Sequence, residues 1–291
     1  MTNAADRVPA PVLVLAGIVS VQFGGALAAT LVPVIGAGGS VAVRLLFATL
    51  LLLALVRPRW RGHSRRAWLT VIAFGVALGL MNFTFYGSLA HLPIGVAVTI
   101  EFIGPLALAA ALSRRVLDVV AVVAAAGGVV LISEALHVPF ADLPWTGIGL
   151  ALAAGAFWAA YIVLSGRTGA EFPQLEGLAL AMVVATVVTL PMGLGSVPQW
   201  TGETLLKGLG IAVLSSVLPY SLELLALRRL TARVFGILLS LEPAAAALAG
   251  LIVLGQVLRP SQLAGMALVV AASALVLGLG ARRDPAEAAS T

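Results

Sequence analysis

The chain is a series of long hydrophobic runs joined by short polar connections. A bilayer core about 30 Å thick takes roughly 20 apolar residues as α-helix. Ten stretches meet that need, at about 11–30, 40–56, 67–89, 93–112, 117–135, 145–164, 176–195, 204–227, 231–254 and 261–280. The connections leave no room for an inserted soluble domain, and "RRDPAEAAST" at 282–291 reads as a disordered tail. The first run shares features with a secretory signal peptide, having Arg7 ahead of it and "GALAAT" within it. Its length and the nine runs behind it favour a retained helix.

The basic residues orient these helices. With the N-terminus inside, Arg7, the group from Arg57 to Arg66, Arg114, Arg115, Arg167, Arg228, Arg229, Arg233, Arg282 and Arg283 all fall on the cytoplasmic side. Only Lys207 and Arg259 fall outside, and Arg44 lies within a helix. That distribution obeys the positive-inside rule, and it predicts an all-α integral membrane protein with ten helices and both termini cytoplasmic. Trp60 and Trp68 suit the inner boundary, Trp145 and Trp200 the outer one.

Composition agrees. Of 291 residues, 61% are hydrophobic and 10% charged, against about a quarter charged in a soluble domain. The net charge of +5 is spread between apolar runs, whereas binding a nucleic acid needs a clustered basic face. With no cysteine in the chain, disulfides, thiolate metal sites and cysteine nucleophiles are ruled out. His63, His91 and His137 lie on separate loops, a poor basis for a metal site. No H-E-x-x-H, G-x-S-x-G or nucleotide-binding loop occurs, so neither an enzyme nor a cofactor is expected. A single lysine amid abundant alanine, glycine and arginine suggests a GC-rich bacterial source.

The chain also repeats. Shifted by 138 residues, the third and fourth runs fall on the eighth and ninth without a gap, and Pro105 meets Pro243. The halves, 1–140 and 141–281, would each hold five helices. Five is odd, so the second half must be inverted relative to the first. Inverted repeats with helices broken near the midplane are a transporter architecture.

Four charges lie within the runs: Arg44, Glu101, Glu223 and Glu242. Each costs about 2.5–3.5 kcal/mol at a helix centre, and such groups usually face the bundle interior. Arg44 lies a little over one turn below the outer surface, and Glu101 about 12 Å down at 1.5 Å per residue. The two are expected to face one another across an outward-facing cavity, the alternative being a purely structural ion pair. Asn82 and Tyr86, four residues apart, share a helix face at similar depth, while Gln22 reads as structural. Such a cavity suits a zwitterion, with Arg44 taking a carboxylate in bidentate geometry and Glu101 an ammonium. Phe83, Phe85, Phe102 and Phe235 are candidates to shape an apolar pocket or to pack in lipid or core. Glu101 and Glu242 are the proton-coupling candidates, since intramembrane carboxylates are frequent relay groups.

Other positions have plainer readings. Glu223 precedes Arg228 and Arg229 by about a turn and a half, which suggests a local salt bridge. Asp118 and Glu134 are placed at membrane boundaries, and "GVALG" at 75–79 is a small-residue packing pattern. Pro243 lacks an N–H and frees a carbonyl near Leu239, which hydrocarbon tolerates only where protein or a water-lined cavity satisfies it. Pro105 is expected to break its helix likewise, one turn after Glu101.

Two stretches carry a family resemblance. Residues 81–115, containing "EFIGP", and residues 218–258, containing "SLEPAAAALAG", resemble the two signatures of the EamA group of drug/metabolite transporters. Within that group they look closest to the bacterial threonine/homoserine exporters. The resemblance covers nearly the whole chain in helix number and order. It implies a ten-helix inner-membrane exporter of small amino acids working by alternating access, driven by the proton gradient. By motif match it implicates Asn82, Tyr86, Glu101, Tyr220, Glu223 and Glu242, with Pro105 and Pro243 as hinges. Gln256 stands where relatives often carry glutamate, and His91 where arginine is common. Another small metabolite or drug remains an alternative cargo, and monomer and homodimer both stay open.

Overall fold

The structure is a computed structural model that describes residues 8–133, 136, 139, 143–254 and 258–281. Arg7, Glu134, His137, Gln256 and the tail 282–291 lie outside the described residues. Among the described residues the chain is helical, with no strand. In order come α1 (Ala10–Val56), α2 (Arg65–Leu89), α3 (Ile94–Ala111), α4 (Val116–Ile132), α5 (Trp145–Glu171) and α6 (Glu176–Gly193). They are followed by α7 (Gly202–Ala212), α8 (Leu218–Leu227), α9 (Ala232–Leu239), α10 (Leu241–Leu254) and α11 (Pro260–Ala281). Among the described residues seven helical stretches are long and apolar enough to cross a bilayer, and Gly95–Ala111 and Val116–Ile132 are shorter apolar helices.

Helix starts follow local chemistry. Ser64, Thr201 and Thr231 cap α2, α7 and α9, each side chain accepting from the amide three residues on, which satisfies one of the orphan donors of the first turn. Pro93 and Pro144 immediately precede α3 and α5, where the fixed φ of proline suits chain entry to a helix.

Four details differ from the sequence expectation. The first two predicted helices have no open loop between them: α1 runs through, with one non-helical residue at Gly36 (φ 73°, ψ 170°). Only glycine takes that conformation without steric cost, so a short bend replaces the connection. The single helix expected over 204–227 contains a π-segment, Val213–Val217, between α7 and α8. Pro219 follows two residues after it, and widening the helix relieves its clash with the preceding turn. The helix expected over 231–254 stops at Leu239 and restarts at Leu241, with Ser240 in a turn between them. By contrast, α3 runs unbroken through Pro105.

Lipid gives apolar helices no drive to associate with one another, so close packing at small residues matters. The "GVALG" reading holds on that point. A Cβ on Gly75 would lie 2.4 Å from the Ala181 carbonyl oxygen, and one on Gly79 3.0 Å from Val188, so α2 rests on α6 there. The arm of α1 beyond Gly36 also meets α6. Thr49 Oγ1 donates to the Met182 carbonyl at 2.9 Å, and Thr186 Oγ1 to the Leu45 carbonyl at 3.0 Å.

Asp118 is not a lightly solvated boundary charge. It is 1% exposed and ion-paired with Arg233, tying α4 to α9. A carboxylate this deep needs a charged partner.

Candidate transport cavity

Both arms of α1, together with α2, α3, α5, the π-segment, α8 and α10, line a cavity of about 200 Å³. Arg44, Asn82, Tyr86, Glu101, Tyr220, Glu223 and Glu242 all line it. A wider chamber of about 510 Å³ shares the walls formed by Tyr86, Glu101, Trp158 and Glu242, and extends toward Val32, Pro33, Leu89 and Val98. Its other surfaces are largely apolar, as in sites that bury a small ligand and orient it with a few polar groups.

One wall carries the cation. Arg44 is buried, donates through Nη2 to Asn82 Oδ1, and lies 5.7 Å from the centre of the Tyr86 ring. Its Nε has no partner, so the guanidinium retains donor capacity for an anion. Asn82 is oriented in turn: Nδ2 donates to the Leu78 carbonyl at 2.9 Å and to the Tyr220 hydroxyl at 3.4 Å. Tyr220 and Tyr161 pack with ring centres 5.7 Å apart, and the Tyr161 hydroxyl donates to Glu223 Oε2 at 2.7 Å. Hydrogen bonds thus join Arg44, Asn82 and Tyr220 on one side and Tyr161 with Glu223 on the other, and the two tyrosine rings pack between these groups.

Arg44 and Glu101 line the same cavity, and the guanidinium is engaged by Asn82 and not by a structural ion pair with Glu101. One expectation is corrected here: Glu223 makes no salt bridge to Arg228 or Arg229. Arg228 donates to the carbonyls of Phe172 and Gln174, and Arg229 to that of Val8. Helix phase explains the difference, because Glu223 is on the buried face of α8 and both arginines are exposed.

The other two carboxylates are held differently. Glu101 is 8% exposed and sits within α3. Pro105 supplies no amide to the Glu101 carbonyl four residues earlier. That carbonyl points at Gly155 of α5, where an added Cβ would lie 2.5 Å away, and a Cβ on Gly104 would come within 1.9 Å of the Gly155 carbonyl oxygen. Contact of backbone with backbone keeps the proline-containing helix whole. Glu242 is half-buried in the first turn of α10, where the partial positive charge of a helix N-terminus favours an anion. Pro243 occupies the same turn, whose amides need no intrahelical acceptor.

Of the phenylalanines, Phe85 lines both spaces and Phe102 the wider one, while Phe83 is exposed and Phe235 is fully buried in the core. Gln22 reaches the wider chamber, its Nε2 donating to the Ile18 carbonyl at 3.4 Å. Sequence reading missed Trp158 and Tyr161, both lining the cavity from α5. Trp158 packs edge-on against Phe102 at 4.8 Å. A phenol near the middle of an apolar span was the available signal, since a buried tyrosine hydroxyl usually finds a partner.

A helical, multi-pass membrane protein built round a charged internal chamber belongs to the class of membrane transporters. The chain is a member of the EamA-like transporter family, whose family model matches residues 145–278. It is 42% identical over 266 residues to the threonine/homoserine exporter RhtA of Escherichia coli (strain K12), covering 90% of this chain and 89% of that protein. It is 41% identical to the threonine/homoserine exporter RhtA of Salmonella typhimurium (strain LT2), over 98% of this chain and 97% of that protein. A solved crystal structure at 18% identity shares the fold, with a TM-score of 0.73 over 94% of this chain and 98% of the other.

Proposed function

We propose that the protein exports small amino acids of the threonine/homoserine type across a bacterial inner membrane by proton-coupled alternating access. The observation that carries this reading is the convergence of one buried guanidinium and three carboxylates on a single chamber. A zwitterion needs both signs. Arg44, held by Asn82, takes the α-carboxylate, and Glu101 takes the ammonium. Tyr86 and Tyr220 flank these charges. Glu242, with Glu101, is the candidate to carry the proton. The names of the similar proteins support the choice of cargo.

Two five-helix halves of opposite orientation, 1–140 and 141–281, form the moving parts, with both termini cytoplasmic. Contacts across the bundle support the repeat. Asn82 hydrogen-bonds Tyr220, the residue 138 positions later that the internal shift superposes on it. A residue that touches its own counterpart lies near a pseudo-two-fold axis, as in an isologous contact. The helices that the shift pairs also touch, α3 with α9 and α4 with α11.

With this orientation the wider chamber extends toward the Gly36 bend of α1 and the outer ends of α2 and α3. The Asp118–Arg233 pair and the Arg228 and Arg229 bonds to carbonyls then close the cytoplasmic side. On this reading the described conformation is the outward-facing one of the cycle.

The test is flux of labelled threonine and homoserine in proteoliposomes, with and without a pH gradient. Gradient-dependent movement of either is the expected result. Movement of neither, nor of any other amino acid, overturns this function and leaves another metabolite or a drug as cargo.

A further inference from the structure

The π-segment between α7 and α8 creates a local hydrogen-bonding deficit, and another helix fills it. The Leu218 amide bonds the Val213 carbonyl five residues back. In that register the next donor would serve the Leu214 carbonyl, but the residue in its place is Pro219, which has no N–H. An unpaired carbonyl in a membrane interior is costly. The hydroxyl of Ser20, from the first arm of α1, donates to Leu214 O at 2.6 Å. The nearby hydroxyls of Ser216 and Ser221 make no hydrogen bond and do not serve this carbonyl.

The face of α1 that carries Ser20 is shaped for the approach. Gly24 lies so close that a Cβ would fall 1.9 Å from Ser215 Oγ and 3.0 Å from the Ser215 amide nitrogen, while Gly17 packs against Pro219 with a built Cβ 3.6 Å from its Cα. Residues 17, 20 and 24 follow helical spacing and share one face. Immediately beyond the joint, α8 presents Tyr220 and Glu223 to the cavity.

We propose that Ser20 is a positioning residue of the transport site. Its hydroxyl replaces the amide that Pro219 lacks and so fixes the π-segment that aims Tyr220 and Glu223. The same bond couples the first arm of α1 to α8, so the two move together when the cavity changes its side of access. The functional arm of this inference rests on the transport reading above; the structural arm does not.

The test is a double-mutant cycle on the full-length protein, combining Ser20→Ala and Pro219→Ala. Hydrogen–deuterium exchange reads α8, and labelled threonine flux reads the site. Ser20→Ala alone is expected to speed exchange at Tyr220 to Glu223 roughly tenfold, the usual scale for orphaning a buried carbonyl. It should also raise the KM for threonine more than it lowers maximal flux. Pro219→Ala restores a backbone donor, so adding Ser20→Ala in that background should leave exchange unchanged. Unaltered exchange in Ser20→Ala, or equal effects of Ser20→Ala in both backgrounds, overturns the proposal. If the wild type moves no amino acid, the transport reading fails and the exchange cycle still decides the joint.

Discussion

The region around Glu101 and Pro105 and the region around Glu242 and Pro243 place the same residue types at one chamber by opposite means. In the first, α3 stays continuous, and Gly104 and Gly155 bring a neighbouring backbone against the turn that the proline disturbs. In the second, the helix ends at Ser240 and restarts, so the proline lies in a first turn that needs no donor. Spacing underlies the contrast. Glu101 precedes Pro105 by a full turn, whereas Glu242 is adjacent to Pro243. One carboxylate is thus carried by a braced rod and the other by the tip of a half-helix.

The largest expected break in that comparison is Gly104→Val. A Cβ there meets the Gly155 carbonyl carbon at 2.3 Å as well as its oxygen, and neither backbone can retreat without parting α3 from α5. Overpacking costs typically about 1–3 kcal/mol and sometimes more. The yield of monodisperse detergent-extracted protein should collapse. Asp118→Asn comes next, because it strips Arg233 of its anion and frees the start of α9 while leaving α3 braced. Breaking a buried pair costs about 3–5 kcal/mol, and the partial exposure of Arg233 reduces this to about 2 kcal/mol. A melting point several degrees lower would register it.

The carboxylates themselves sharpen the contrast. Glu101→Gln should lower threonine flux by roughly tenfold to a hundredfold, the scale of a lost charge-assisted contact. Glu242→Gln should cost less, roughly threefold on the same scale, because the half-buried first turn of α10 offers amide donors of its own. Equal losses would erase the proposed division between the two sites. The smallest effects are those of the prolines. Pro243→Ala permits α9 and α10 to fuse and should slow flux a few-fold while the fold persists. Pro105→Ala should change stability by less than about 1 kcal/mol, since α3 is already unbroken and the site already packed.

Much of the site was legible without coordinates, and the reason is energetic. A charge or an amide in an apolar run is too costly to face lipid, so Arg44, Asn82, Glu101, Glu223 and Glu242 could be expected inside the bundle, where the structure brings them to one cavity. Tyr161 and Trp158 escaped notice because aromatic residues are equally at home in core, lipid and site. Gly24 and Ser20 escaped because small residues are common in this chain, and their role depends on which helix stands opposite.

The sequence by itself determined the membrane class, the succession of apolar helices and the set of polar groups that had to be sheltered. These follow from length, hydropathy and the cost of burying charge, which are properties of each segment alone. Tertiary structure decided which partner each group takes: Arg44 with Asn82 and not Glu101, Glu223 with Tyr161 and not Arg228. It also decided which proline breaks its helix. A missing amide can be tolerated by a turn, by a close glycine or by a hydroxyl from another helix, and only packing determines which of these is within reach.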